Sequence, residues 1–298
     1  MIFSLSSCAS KSTLEETDAG ASANIKDSRN YSSVSEQSET SPLTGRKILP
    51  TATFKVVDPE NERGLSTVKT EHSYGVAKSG KPHRISYDAQ KKFSSLGYKA
   101  VCYDTVSTEK VLYLTFDCGW ENGYTEKCLD TLKEKSVPAA FFCTLDHIKS
   151  SPELIARMIN EGHIVGNHSA NHADFSEISR SKMAEEILVC DNYLRKNFGY
   201  TSTFFRFPEG SYNENALELV DSMGYTSVFW SCAYADWDVN SIKGGNHAFS
   251  TVTARLHPGA IILLHSVSPD NAEALGRIID FARLNGYEFK SLTDYKFK

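Results

Sequence analysis

Short apolar runs alternate with longer amphipathic stretches from about residue 70 to the end of the chain. The run 111–116 is nearly continuous in β-prone residues, as expected for a strand that is buried on both faces of a parallel sheet. Similar runs predict strands over 139–144, 163–167, 203–207, 227–230 and 260–264. Amphipathic stretches predict helices over 125–136, 152–160, 180–198, 215–223 and 271–284. This alternation predicts an α/β fold in which helices connect the strands of a parallel sheet.

The N-terminal part has a different composition. Serine, threonine, asparagine and glutamate are frequent over residues 9–60 and aromatic residues are few, so we predict a disordered tether there. The preceding Leu5-Ser6-Ser7-Cys8 resembles a bacterial lipobox, although the basic and apolar parts of a signal peptide are nearly missing from residues 1–4. We interpret residues 1–8 as a remnant lipoprotein signal with a lipid anchor at Cys8. The alternative is a chance match in a serine-rich segment.

Composition and charge narrow the functional classes. The 298 residues carry a formal net charge of -5 and are 40% hydrophobic, which fits one large domain with extra polypeptide. There is no basic run, so nucleic acid is not an expected partner. No apolar run approaches the roughly 20 residues of a membrane-spanning helix, so we expect no integral span. We also expect a monomer. Residues 51–105 are poorly defined by these patterns and are interpreted as an N-terminal extension packed on the main domain.

Residues suited to catalysis follow the ends of several predicted strands. They are Asp117, the segment from His168, Arg206, Asp236 and His265. In a parallel barrel the loops at the carboxyl ends of the strands form the active site. We therefore expect these side chains to converge on one mouth of the barrel.

Two histidines have a spacing that permits metal binding. His168 and His172 are four residues apart, and on a helical turn both rings can bind one Zn²⁺. Two histidines on a solvated helix face are the alternative. Asp117 can act as a general base or can be a turn residue before Gly119. His265 can be catalytic or a satisfied residue at the barrel mouth.

The order of five short motifs carries more information than any one of them. TFDCG (115–119), HSANH (168–172), RFPEG (206–210), ADW (235–237) and LLH (263–265) resemble the five motifs of the NodB-type polysaccharide deacetylases, carbohydrate esterase family 4. The resemblance extends over about 70–298. GWENGYTEKCLDTLKEK (119–135) and LLHSVSPDNAEAL (263–275) are similar to the delta-lactam-biosynthetic branch, whose members act on N-acetylmuramic acid of spore-cortex peptidoglycan.

The resemblance implies a fold, a cofactor and a mechanism. The fold is a distorted (β/α) barrel over residues 70–298, with parallel strands and outer helices. A divalent metal ion, expected to be Zn²⁺, is held by His168 and His172. Four residues have catalytic roles. Asp117 is the base and Arg206 is its ionic partner, whereas His265 is the acid and Asp236 orients it.

Substrate contacts are expected around the same centre. Trp237 and Trp120 offer flat faces for a sugar ring, although either can be a core residue. The backbone near Glu209 and Gly210 is a candidate oxyanion donor.

Cys118 departs from the family pattern. The family usually has a second aspartate there, which is the third metal ligand, and the delta-lactam branch commonly has asparagine. Three interpretations are open: Cys118 completes a Cys-His-His site, it is a bystander beside two histidines and waters, or activity has been lost. Sulfur ligation favours Zn²⁺ over Mg²⁺ or Mn²⁺. Another cysteine, Cys143, lies in an apolar stretch and is expected to be a small buried hydrophobic residue.

The resemblance implies a hydrolase that removes N-acetyl groups from peptidoglycan glycan strands, with N-acetylmuramic acid as the sugar and sporulation as the setting. Its location would be extracytoplasmic, in the cell envelope. An N-acetylglucosamine deacetylase of peptidoglycan or exopolysaccharide is one alternative. An inactive glycan-binding homologue is the other.

Overall fold

A parallel sheet with helices on its outer side forms the body of the protein, whose computed structural model describes residues 30–31 and 39–296. The strands are β1 Asn30–Tyr31, β2 Ala52–Thr53, β3 Thr70–Glu71, β4 Ala100–Val101, β5 Val111–Cys118, β6 Ala139–Cys143, β7 Ile164–Asn167, β8 Phe204–Phe205, β9 Ser211–Tyr212, β10 Thr226–Val228, β11 Ala260–His265 and β12 Glu288–Phe289.

Eight α-helices accompany these strands in the described part of the chain. They are α1 Arg84–Leu96, α2 Thr125–Lys135, α3 Leu145–Ser150, α4 Pro152–Asn160, α5 Arg180–Phe198, α6 Glu214–Ser222, α7 Gly245–Thr253 and α8 Pro269–Leu284. Short 3-10 helices cover Pro208–Gly210 and Leu292–Asp294.

The main sheet is parallel and curved. Its strand order is β11-β5-β6-β7-β8-β10-β4, and β12 also pairs with β5. The two ends of this order approach each other: Tyr103, just after β4, bridges to Ala260 at the start of β11. The backbone N–H of Asp104 also donates to the carbonyl of Gly259 at 2.8 Å. The predicted distorted barrel with parallel strands and outer helices is therefore confirmed.

Alternation along β5 decides which side chains meet the barrel interior. All eight residues of β5 are buried. Leu114, Phe116 and Cys118 belong to the core between the sheet and the helices α2 and α8. Tyr113 belongs to the core inside the barrel. Because side chains on a strand alternate between faces, Asp117 faces the barrel interior, whereas Phe116 and Cys118 on either side of it face the helices.

The helices most clearly marked in the sequence have the expected bounds. The structure has α4 and α5 at 152–160 and 180–198, as predicted. Helix α5 ends at Gly199, which adopts a left-handed φ of 58°. Helices α1, α3 and α7 were not predicted. Helix α3 has only six residues, which is too short for its periodicity to be recognised.

The prediction of a disordered tether over 9–60 is wrong from residue 39 onward. The Ser41 hydroxyl donates to the carbonyl of Asn197 at the end of α5, at 2.5 Å. The N–H of Ala52 donates to Asn192 Oδ1 at 2.7 Å. This segment is held to α5 by hydrogen bonds from small polar residues, so its composition resembles that of a disordered chain.

The predicted remnant signal at 1–8, with Cys8, lies outside the described residues, as do residues 9–29 and 32–38 of the predicted tether. Within the described segments, no helix combines the length and apolar character required to cross a bilayer.

Candidate functional site

A cavity of about 520 Å³ opens at the carboxyl ends of the central strands. Side chains from several separate strand ends and loops reach it, which agrees with the general location of active sites in parallel barrels. Its lining includes both histidines of the HSANH segment, the base and acid candidates and three tryptophans: His168, His172, Asp117, His265, Trp120, Trp230 and Trp237.

A buried ion pair lies at the base of this cavity. Arg206 Nη1 donates to Asp117 Oδ1 at 2.7 Å, and the guanidinium is fully buried. Burial alone would raise the pKa of Asp117, but the charges of Arg206, His168 and His265 outweigh it and lower the pKa below its ordinary value. Asp117 is therefore a carboxylate at neutral pH.

The other two nitrogens of Arg206 are also hydrogen-bonded, and Nη2 donates to the carbonyl of Phe229 at 3.3 Å. Its Nε donates to the carbonyl of Val228 at 2.9 Å, and the guanidinium carbon lies 4.1 Å from the centre of the Phe142 ring. Gly166 is directly opposite Phe142 in the β6–β7 register. A Cβ at Gly166 would lie 2.6 Å from the Phe142 ring, so this glycine makes room for the ring that supports the arginine.

The two histidines of the HSANH segment lie on a loop and not on a helical turn, contrary to the sequence-based expectation. Strand β7 ends at Asn167, and residues 168–172 are irregular. Ser169 and His172 adopt left-handed φ values of 69° and 55°. The imidazole rings of His168 and His172 are nevertheless neighbours, with centroids 5.0 Å apart and planes at 81°.

The tautomer of His168 follows from its hydrogen bond. Its Nδ1 lies 2.8 Å from the carbonyl oxygen of Arg206. Because a carbonyl only accepts, Nδ1 carries the proton and Nε2 has the lone pair. Burial lowers the pKa of His168 to about 4, so the ring is neutral. Nε2 lies 3.7 Å from Asp117 Oδ2.

These features fit a metal-binding pair of histidines. Metal-ligating histidines usually donate the second ring N–H to a backbone carbonyl or carboxylate, as His168 does. His172 is exposed at the cavity and its ring is adjacent to that of His168. A divalent cation can therefore be held by His168 and His172 beside the Asp117 carboxylate.

His265 and Asp236 form a second polar pair at the cavity. His265 Nδ1 lies 2.7 Å from Asp236 Oδ1, and the backbone N–H of His265 donates to Asp236 Oδ2 at 2.9 Å. Burial alone would lower the pKa of His265, but the charge and hydrogen bond of Asp236 raise it above the ordinary value. His265 therefore holds a proton to higher pH than an isolated histidine.

The sequence reasoning missed Asn271. Its side-chain amide donates to Asp236 and also to the carbonyl of His265, the latter at 3.1 Å. Its Oδ1 accepts from the Tyr234 hydroxyl at 2.6 Å. Asn271 is fully buried in the first turn of α8 and fixes the carboxylate that orients His265. The sequence placed Asn271 only at the start of a predicted helix, and its burial could not be read from the sequence.

Cys118 is not brought to the histidine pair. It is fully buried, its Sγ lies 3.3 Å from the Ser266 hydroxyl, and it is not among the described residues that line the cavity. The hypothesis that Cys118 completes a site with His168 and His172 is therefore not supported. The physical reason is strand alternation, because the residue after Asp117 faces the helices.

The Glu209–Gly210 turn lies at the cavity, but the glycine N–H is already used. Gly210 donates to the carbonyl of Phe207 at 3.1 Å, so it is not an available oxyanion donor. Glu209 is exposed at the cavity with a left-handed φ of 57°.

The two tryptophans proposed as sugar platforms are at the surface and not in the core. Trp120 and Trp237 are about half exposed, at 49% and 55%, and both line the cavity. The Trp237 ring centroid is 5.9 Å from that of His265. His72 and Trp230 also line the cavity and were not predicted.

Comparison with known proteins agrees with this arrangement. A polysaccharide deacetylase family profile matches residues 104–228. The peptidoglycan-N-acetylmuramic acid deacetylase PdaA of Bacillus subtilis is 42% identical over 213 residues, which are 71% of this chain and 81% of that protein. A peptidoglycan-N-acetylglucosamine deacetylase of Bacillus cereus is 31% identical over 183 residues, 60% of this chain and 66% of that protein.

Comparison of the fold with solved structures gives the same result. The solved structure of Bacillus subtilis PdaA, a family 4 carbohydrate esterase, matches with a TM-score of 0.74 and 36% identity, over 78% of this chain and 98% of that one. The chain therefore belongs to the polysaccharide deacetylase family, the metal-dependent carbohydrate de-N-acetylases of carbohydrate esterase family 4.

Proposed function

We propose that this protein removes the acetyl group from N-acetylmuramic acid in peptidoglycan glycan strands. The observation that supports this chemistry is that one cavity contains two polar pairs. The ionised carboxylate of Asp117 is bound by Arg206, and the imidazole of His265, which can be protonated, is bound by Asp236. The 42% identical relative that acts on N-acetylmuramic acid supports the choice of sugar.

Asp117 is the proposed general base. Its pKa is lowered, so the carboxylate is ready to accept a proton at neutral pH. Arg206 binds Oδ1, and Oδ2 lies toward His168 on the cavity side. Asp117 takes a proton from water as the water oxygen forms a bond with the acetyl carbon.

His265 is the proposed general acid. Asp236 raises the pKa of its imidazole, which favours the protonated form needed for this role. As the carbon–nitrogen bond breaks, His265 gives a proton to the departing sugar nitrogen. The products are acetate and a free amino sugar, and Asp236 and Asn271 keep the ring in position.

His168 and His172 are the proposed metal ligands. A bound divalent cation would polarise the acetamide carbonyl and lower the pKa of a water molecule. We propose Zn²⁺, because imidazole is among its usual ligands. The neutral His168 ring, with its N–H held by a backbone carbonyl, is suited to this task.

The exposed rings of Trp120 and Trp237 are proposed to contact the sugar on both sides of the reactive acetamide. Aromatic faces bury the apolar side of a sugar ring. Glu209 at the cavity is proposed to contact the polar groups of the substrate.

We further propose that the protein acts outside the cytoplasm as a monomeric, lipid-anchored component of the cell envelope, in the setting of sporulation. The peptidoglycan substrate of its relatives and the lipobox-like Leu5-Ser6-Ser7-Cys8 support this location. Detergent-phase partition of the full chain expressed in a bacterium tests the anchor. Cys8→Ala should move the protein to the aqueous phase, and an unchanged distribution would contradict anchoring at Cys8.

Mass spectrometry of digested peptidoglycan tests the substrate. Treatment with metal-loaded protein should release acetate and produce de-N-acetylated muramic acid, and prior chelation should stop both. Loss of acetyl groups from glucosamine alone would instead support the second candidate function, which the 31% identical relative favours. Binding to glycan with no acetate release would indicate an inactive homologue.

A further inference from the structure

A second group of potential metal ligands lies on the other side of β5. The sulfur atoms of Cys118 and Cys143 and a ring nitrogen of His147 all lie within 4.8 Å of one another. All three side chains are fully buried. They come from the end of β5, the end of β6 and the first turn of α3.

Strand register produces this group. Cys118 and Cys143 are direct neighbours in the parallel β5–β6 pair. Thr144 then caps α3 by accepting a hydrogen bond from the backbone N–H of His147, which brings the histidine back over the strand ends. The three ligands are thus on rigid elements, as a metal site requires.

His147 supplies an independent sign of a missing ligand. Neither of its ring nitrogens has a hydrogen-bond partner among the described residues, although the side chain is fully buried. Buried polar atoms are normally hydrogen-bonded, and each exception calls for an explanation. A metal ion bound to one ring nitrogen would provide it.

A nearby carboxylate has a similar unpaired atom. Glu121 interacts electrostatically with His147, and its buried Oε2 has no hydrogen-bond partner in the described part of the chain. Its other oxygen, Oε1, accepts from the backbone N–H of Tyr124 at the start of α2. Negative charge beside the cysteines and histidine is favourable for a cation.

We propose that Cys118, Cys143 and His147 bind a structural zinc ion. Two thiolates and one imidazole are typical Zn²⁺ ligands, at about 2.3 Å for sulfur and about 2.1 Å for nitrogen. In a tetrahedral site such ligand atoms are about 3.8 Å apart, so the three atoms need to approach by about 1 Å or less. Two thiolates also neutralise the charge of the ion, which suits a buried position.

This site is separate from the histidine pair of the cavity. Cys118 and Asp117 are adjacent on β5 but point to opposite faces. The same division holds at the end of β11, where His265 reaches the cavity and the next residue, Ser266, contacts Cys118. The zinc ion would join the ends of β5 and β6 to α3 just behind the catalytic carboxylate. Its role is therefore to hold the strand end that carries Asp117.

Cobalt substitution of the full chain tests the site. Co²⁺ bound by thiolates has a near-ultraviolet charge-transfer band, whereas Co²⁺ bound by histidines alone does not. The His168→Ala/His172→Ala variant should keep this band and lose acetate release. Cys143→Ser should lose the band and one equivalent of zinc, measured by elemental analysis. Cys232→Ser, at a buried cysteine outside the group, should keep both.

A rescue variant separates ligation from packing. His147→Cys should retain the second zinc equivalent, because cysteine is also a zinc ligand, whereas His147→Phe should lose it. If Cys143→Ser fails to fold, the thiols of the wild-type protein are titrated with a mercurial reagent in the presence of a zinc-sensitive dye. Zinc should then be released as the thiols react. The proposal would be overturned if the cobalt-substituted wild-type protein showed no thiolate band. It would also be overturned if the His168→Ala/His172→Ala variant retained no zinc at all.

Discussion

The two faces of β5 at its carboxyl end differ sharply in their chemistry. Asp117 faces the barrel interior, where it binds Arg206 at the base of an open cavity. Cys118 faces the outer helices, where it is enclosed with Cys143 and His147. Two adjacent residues of β5 therefore have different roles: Asp117 belongs to the reaction site and Cys118 to the buried group behind it. The reason is that the side-chain period of a strand is two residues.

Removal of one histidine of the metal-binding pair should have the largest effect. His168→Ala should lower acetate release by about 10³-fold or more, since Lewis-acid stabilisation amounts to several kcal/mol and each about 1.4 kcal/mol corresponds to tenfold. Acetate release and zinc content check this together. His83→Ala, at a histidine that does not line the cavity, is the control. Full metal content in His168→Ala would argue against the ligand assignment.

Loss of the Asp236 charge should alter both the rate and its pH dependence. Asp236→Asn should reduce turnover by about 10²-fold or more, in the range of general acid–base catalysis. His265 must be protonated to act as the acid, and Asp236 raises its pKa. Without that charge the pKa falls, so the alkaline limb of the pH–rate profile should move to lower pH. An unmoved alkaline limb would exclude His265 as its source.

The support of Arg206 can be disturbed without removing any charged group. Gly166→Ala should displace the Phe142 ring and destabilise the protein by about 1–3 kcal/mol, the usual cost of overpacking. Thermal unfolding and acetate release measure both consequences. Gly276→Ala is the matched control, because its Cβ would be 3.6 Å from Thr131, an ordinary contact. Equal stability of the two variants would show that Phe142 has room to move.

The smallest effect concerns the segment around Ser41, which is hydrogen-bonded to the end of α5 and does not line the cavity. Ser41→Ala should remove the hydrogen bond to the Asn197 carbonyl and lower stability by about 1 kcal/mol, with no change in acetate release. Chemical denaturation measures this difference. Ser95→Ala, at an exposed serine of α1, should leave stability nearly unchanged. A Ser41→Ala protein as stable as the wild type would mean that this bond contributes little.

Much of the interior face could be predicted from sequence. The buried strands have nearly continuous apolar runs, and the polar residues that interrupt them, such as Asp117 and His265, mark the strand ends. This is why the barrel and the group of cavity residues were found. The loop form of the HSANH segment was not, because left-handed φ at Ser169 and His172 is unusual for these residues and has no sequence signal.

The outer face could not be predicted in the same way. Cys118, Cys143 and His147 are brought together by the register of β5 with β6 and by a six-residue helix. Neither feature can be read from hydrophobic periodicity. The interpretation of Cys143 as a small buried hydrophobic residue was reasonable for a single position, but it did not consider its strand neighbour.

Acetate release from muramic-acid-containing glycan by two neighbouring variants tests the central claim most directly. With equal metal occupancy of the His168–His172 site and intact circular dichroism spectra, Asp117→Asn should lose about 10³-fold in turnover, while Cys118→Ser should remain within about tenfold of the wild type. Equal losses in the two variants, or wild-type turnover in Asp117→Asn, would contradict the division of β5 into a reactive face and a supporting face.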